Sequence, residues 1–261
     1  MGMSVRRTEA RIREGGAEVE IDASELTHKE LNDVIRDYVR KGARKIILRN
    51  VYGQRYIGTR LFSPEGKRVT IEIFGTPGND LGAFLDGHRI IVHGNAQDGV
   101  GNTMDDGEII VEGRAGDIVG MSMRGGKIFI RDGVGYRVAL HMKEYVKKPV
   151  IVIGGTSQDF LGEYMAGGIV IMLGLNTEHT AKFIGTGMHG GVIYIRGKVE
   201  KYQLGKEVGV LAVNEKDKEI LKKYVGEFSE YFGFDKGEIL SEKFIKLLPI
   251  SKRPYGRIYA Y

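Results

Sequence analysis

Gly75-Thr-Pro-Gly78-Asn-Asp-Leu-Gly82-Ala-Phe-Leu-Asp-Gly87 and Gly113-Arg-Ala-Gly116-Asp-Ile-Val-Gly120-Met-Ser-Met-Arg-Gly125 are two copies of one pattern, G-x-x-G-x-x-x-G-x4-G. The pattern recurs about every 19 residues through the middle of the chain. Gly94, Gly101 and Gly107 keep three of its glycines, with Gln97 in the second slot and one extra residue before the last. Gly155, Gly162 and Gly167 keep three around Gln158. A worn copy runs Asp132, Gly135, Ala139, Glu144, and a half copy, Gly185 and Gly190, follows an insertion. Self-similarity at a period near 20 is the signature of a solenoid.

An apolar, β-branched run precedes each copy, at 69–73, 90–92, 109–111, 128–130, 150–153, 169–172 and 192–195. These runs are short and bounded by glycine, which predicts strands. One strand per repeat with no helical pattern between excludes a βαβ unit and predicts one coil of a parallel β-helix. The expected fold is therefore mainly β, a right-handed, single-stranded parallel β-helix of about six or seven coils. Coils stacked about 4.8 Å apart make a rod core roughly 30 Å long. The glycines are expected to form the coil turns, where the chain bends sharply and backbone stacks on backbone. A second apolar track, Leu81 and Phe84, Val100 and Met104, Val119 and Met123, Val138 and Met142, Leu161 and Met165, is expected to stack inside the rod.

The flanks offer covers for the open ends of such a rod. Thr27 and Glu30 form a capping-box pattern ahead of a helical face of Leu31, Val34, Ile35, Tyr38 and Val39, stopped by Gly42. A strand at 45–48 then starts the sheet. Asn214 and Asp217 open a second helix with the face Ile220, Leu221, Tyr224, Val225, Phe228 and Phe232, ended by Gly233. A third helix is expected from about Glu238 to Leu248, before Pro249. The expected division is an N-terminal cap at 1–62, the β-helix at 63–205, and a C-terminal helical cap and tail at 206–261. The tail, Arg253 to Tyr261, is basic and aromatic, a composition suited to packing on the rod or on a partner.

Composition limits the chemistry. The 261 residues contain no cysteine, which excludes disulfides, a cysteine nucleophile and thiolate-held metal or iron–sulfur centres. The polar start and the lack of a long apolar run predict a cytoplasmic protein without a membrane span. The net charge of +5 comes with acids interspersed among the lysines, and no basic run with interleaved aromatics predicts nucleic-acid binding. No glycine-rich turn carries the lysine–serine pair or the helix start of a nucleotide site. His28, His88, His93, His141, His179 and His189 lack ligand spacing, although His141 and His189 fall in turns of different coils that stacking brings closer. Asp105 and Asp106 are adjacent carboxylates before a glycine, which fits a turn better than a pair facing one glycosidic bond. Neither catalytic, cofactor-binding nor metal residues are expected. Gln54, Arg55 and Tyr56, within Gly53-Gln-Arg-Tyr-Ile-Gly58, are the candidate partner-facing residues, with a purely structural corner as the alternative.

Glu18 to Ser24, Val51 to Gly58, the coils at 75–87 and 113–125, and Phe183 to Gly191 together resemble the GXGXG domain of the glutamate synthase large subunit, in its stand-alone form. The resemblance implies a non-catalytic scaffold that holds a glutamine amidotransferase subunit and an FMN/iron–sulfur synthase subunit together for glutamate biosynthesis. FMN and the cluster are then expected in the partner. The Met-Gly start and the absence of cysteine agree that this chain is neither glutaminase nor cluster holder. Formylmethanofuran dehydrogenase has a component with similar repeats, and that component is the first alternative; a stand-alone carbohydrate-active β-helix protein is the second.

Overall fold

Each of the seven apolar runs becomes a strand, and each strand lies on the one before it. The computed structural model describes residues 12–61, 66–175 and 177–250. In chain order the elements are β1 (Ile12–Gly15), β2 (Glu18–Asp22), α1 (His28–Arg40), β3 (Lys45–Tyr52), β4 (Thr70–Thr76), β5 (Arg89–His93), β6 (Glu108–Val111), β7 (Lys127–Ile130), β8 (Val150–Ile153), β9 (Ala166–Met172), β10 (Gly190–Arg196), β11 (Val208–Ala212), α2 (Glu215–Phe232), α3 (Lys236–Ser241) and β12 (Phe244–Pro249). One sheet orders them β1-β2-β3-β4-β5-β6-β7-β8-β9-β10-β12-β11. β2 to β10 run parallel in strict sequence, and the pairs at both ends are antiparallel.

The register stacks like on like. Ile71, Ile90, Ile109, Ile128, Ile151, Val170 and Ile193 form one inward ladder. Met104, Met123, Met142, Met165 and Met188 bury beside it. Burying each such side chain is worth about 1.5–3 kcal/mol. From β6 onward the outer face is apolar as well: Ile110, Phe129, Val152, Ile171 and Tyr194 lie under Leu221, Val225 and Phe228 of α2. That double burial explains why these strands read as continuous apolar runs.

Four expectations are revised. Phe84, expected inside the rod, is 38% exposed, and Leu85 is buried in its place. The solenoid has about eight turns rather than six or seven, because β2 joins the parallel stack. Its glutamates and Asp22 alternate with Val19 and Ile21, so it shows no apolar run, and α1 takes the place of a glycine turn in the first coil. The third helix stops at Ser241, and Phe244 to Pro249 is a strand between β10 and β11. A short apolar run fits helix and strand alike, and pairing on both sides decides for the strand. α1 packs Leu31, Ile35 and Val39 into the interior core. α2 instead covers the sheet's outer flank, and Val208 and Leu247 join the interior core at the far end. The capping boxes at Thr27 and Asn214 and the left-handed Gly233 stop are present as read. The basic aromatic tail lies outside the described residues. Among the described residues no helix is long and apolar enough to cross a membrane.

Candidate partner-binding surface

Each coil after the first turns through three left-handed residues at alternate positions. In the third coil they are Asp80, Gly82 and Phe84; in the sixth, Arg137, Ala139 and His141; in the seventh, Phe160, Gly162 and Tyr164. The middle position is the one that needs glycine. A Cβ on Gly82 would lie 2.6 Å from Ile109 Cδ1, and one on Gly162 2.6 Å from Ile193 Cδ1. Gly101, Gly120 and Gly185 meet Ile128, Ile151 and Val208 in the same way. The worn coil keeps this geometry, with Ala139 at φ +60°.

The other predicted glycines serve closeness between coils. Gly75, Gly94, Gly113 and Gly155 sit against backbone of the preceding coil, and Gly78 and Gly116 do so one turn further along. Gly87 has open space around its Cβ direction, whereas Gly125, Gly167 and Gly190 press on Asp105, Glu144 and Ala166. Gly107, whose Cβ would fall on the His88 carbonyl, belongs to a different column with Gly126, Gly168 and Gly191, immediately before Glu108, Lys127, Ile169 and Val192. The doublets Gly125-Gly126, Gly167-Gly168 and Gly190-Gly191 were the available signal for that second column. Side chains reinforce the stack. Asp98 Oδ1 accepts from Asp117 N, Asp117 Oδ1 from Tyr136 N, and Asp159 Oδ1 from Lys182 N, at 2.9, 2.9 and 2.7 Å.

The corner at Gly53 to Gly58 divides into an inner and an outer part. Gln54 was expected to face a partner, but it is only 9% exposed. Its Nε2 donates to the carbonyls of Ala23 and Leu26, and its Oε1 accepts from Tyr52 N, so the amide pins the first coil's crossover. Arg55 and Tyr56 do face outward. Tyr56 holds φ +62°, and its ring meets His28 edge-on at 6.5 Å. Tyr52 stands beside them, 90% exposed. Tyr52 and His28 complete a patch that the sequence showed only in part, because α1 and the corner meet through Asn32 Nδ2 donating to the Arg55 carbonyl.

The acidic pair and several of the histidines singled out in the sequence make contacts within the rod. Asp105 pairs with Arg124, and Asp106 with Lys147. Burial pushes the Asp106 carboxyl up, but Lys147 and the Gly107 backbone outweigh it and hold it below the usual carboxylate range. Glu108 sits among Arg68, Lys127 and Arg89, at 2.9, 2.7 and 3.4 Å. His88 is buried, accepting from Val69 N at Nδ1 and donating to the Leu61 carbonyl at 2.8 Å; burial pushes its pKa down. His93 stacks on Phe74 and His141 on Tyr164, while His189 Nδ1 lies 3.2 Å from the Gly187 carbonyl oxygen. Among the described residues no group of three histidine or carboxylate side chains is placed to hold a metal ion.

Comparison with known proteins agrees with this architecture. The chain is 51% identical to uncharacterized protein MJ1350 of Methanocaldococcus jannaschii, over 94% of this chain and 97% of that one. Its fold is similar to a chain of the formyltransferase/hydrolase complex FhcABCD from Methylorubrum extorquens in complex with methylofuran. That match has a TM-score of 0.58 and 16% identity, and covers 89% of this chain and 91% of the other. At that identity the likeness establishes the fold. The GXGXG motif family matches residues 23–250, nearly the whole described rod with both flanks, and the chain belongs to that family.

Proposed function

We propose that this chain is a non-catalytic scaffold subunit of a multi-chain enzyme, with the chemistry in its partners. The observation that carries the proposal is that the adjacent carboxylates Asp105 and Asp106, the acidic pair an enzyme reading would need, are ion-paired with Arg124 and Lys147 of later coils. That also weighs against the carbohydrate-active alternative, which requires two carboxylates converging on one bond. A rod whose every coil is tied to its neighbours keeps its shape without a ligand, which suits a part that fixes other proteins relative to each other.

Two host enzymes fit. The structural neighbour is part of a formyltransferase/hydrolase complex, and this favours a formylmethanofuran-dehydrogenase-type assembly. The segment Gly53 to Gly58 supports a glutamate synthase, with a glutamine amidotransferase and an FMN/iron–sulfur synthase as partners. Tagged purification from the native host under gentle conditions, with mass spectrometry and an absorbance spectrum, separates them. A pterin-enzyme partner supports the first; an N-terminal-cysteine amidotransferase with a flavin/iron–sulfur chain supports the second. A chain that comes down alone under several lysis conditions overturns the scaffold proposal.

A further inference from the structure

Among the described residues the far end of the sheet is open. Among the described residues β11 is the last strand, paired only with β12. Ile250 N donates to the Glu207 carbonyl, which makes 207/250 a hydrogen-bonded pair. Antiparallel pairs alternate, so 209/248 and 211/246 are bonded, and 208/249, 210/247 and 212/245 are not. Pro249, which has no N–H, sits opposite Val208 in agreement. The N–H and C=O of Val210 and Ala212 therefore point away from the sheet. Val210 and Leu211 are 54% and 47% exposed. Beside them runs a groove of about 580 Å³ lined by Val213, Leu221, Leu240 and Phe244, with Lys218, Lys222 and Lys243 at its rim. Lys218 and Lys222 make ion pairs with Glu215 and Glu219 on exposed helix surface, and Glu242 is the one acid in the lining.

We infer that β11 receives an extended segment of a partner subunit as an added strand, with apolar residues entering the groove and acidic residues meeting the lysines. The inference rests on the scaffold reading. A bare apolar edge strand is a liability unless covered, and strand addition supplies both main-chain hydrogen bonds and side-chain pockets. Charge selects the occupant. A second copy would bring the same three lysines to the seam. The stretch 251–261 carries Lys252, Arg253 and Arg257 and no acid. An acidic, apolar strand meets no such repulsion.

Amide hydrogen exchange on the full chain, alone and in the complex purified from its host, tests this. The expected result is that Val210 and Ala212 exchange freely in the isolated chain and are protected in the complex, while Gly209 and Leu211 are protected in both. Val210→Pro removes an outward N–H, and Lys222→Glu with Lys243→Glu reverses the rim; each is expected to lower partner retention about tenfold, the equivalent of one charge-assisted or main-chain contact. The paired charge variant decides the matter should Val210→Pro not fold. Partners retained with Val210 and Ala212 still exchanging freely overturn the inference and leave the scaffold reading standing. A wild-type chain that retains no partner overturns both. Protection already present in the isolated chain, whether it depends on concentration (a second copy) or is lost on truncation after Ile250 (the chain's own end), also overturns it.

Discussion

Val170→Ile is a one-methylene change that should unsettle the whole rod. The inward ladder holds isoleucine at 71, 90, 109, 128, 151 and 193 and valine at 170. The isoleucine δ-methyl is what forbids a Cβ two strands back: Ile193 Cδ1 stands 2.6 Å from an ideal Cβ on Gly162. By the same register Val170 stands over Ala139, the one turn in which that column has a side chain. Ala139 is thus tolerated because the ladder is one carbon short above it. Restoring that carbon overpacks a fully buried site, at a cost of about 1–3 kcal/mol. Ala139→Gly should be near neutral, since relief of about 1 kcal/mol of left-handed strain offsets glycine's extra unfolded-state entropy. In the Ala139→Gly background Val170→Ile should cost almost nothing, giving a coupling of about 1–3 kcal/mol. Guanidinium denaturation of the four proteins measures it, provided the slope is common to all. A Val170→Ile protein as stable as wild type, or one whose defect persists in the Ala139→Gly background, would refute the reasoning.

Other outcomes follow from the same geometry. Gly75→Ala, whose Cβ would fall on the Val51 carbonyl oxygen, should abolish soluble folded protein, while Gly87→Ala, with open space around it, should cost only about 1–2 kcal/mol of left-handed strain in a denaturation titration. Gln54→Ala leaves the Ala23 and Leu26 carbonyls without their donor and should lower stability by about 1–3 kcal/mol, whereas Arg55→Ala should leave the melt unchanged and weaken partner retention. His88 and His179 both have pKa values pushed below 6.5, first by burial, so the unfolded chain binds more protons; stability should be full at neutral pH and fall as pH drops below that value. His88→Gln should flatten that slope in melts across pH 5 to 7. The Asp217 carboxyl is pushed up by burial but held lower overall by Asn214 N, Lys246 and Tyr194; Asp217→Asn should cost about 2–3 kcal/mol, read as loss of α2 helicity before the rod unfolds.

The strands were legible because the outer sheet face is covered. Double burial turns Ile109 to Val111 or Ile151 to Ile153 into apolar runs, and the intervening glycines mark where the chain bends. β2 escaped notice because its outer side chains are Glu18, Glu20 and Asp22, paired or bonded across the strand rather than buried. β12 read as helix because Phe244 to Leu248 carries no period that separates the two forms, and its partners lie about 40 and 50 residues away. Gln54 looked like a surface residue for a related reason: what consumes its amide is a pair of carbonyls from the far side of α1. The groove beside β11 joins three stretches, 210–213, 218–222 and 240–245, so no local pattern announced it.

The most direct test of the scaffold account asks whether other polypeptides stay together without this chain. A tag on a catalytic partner, in the native host with and without this chain, followed by native mass spectrometry, answers it. The account predicts an intact assembly with the chain and separated, individually folded partners without it. Partners that remain joined in its absence would contradict the account.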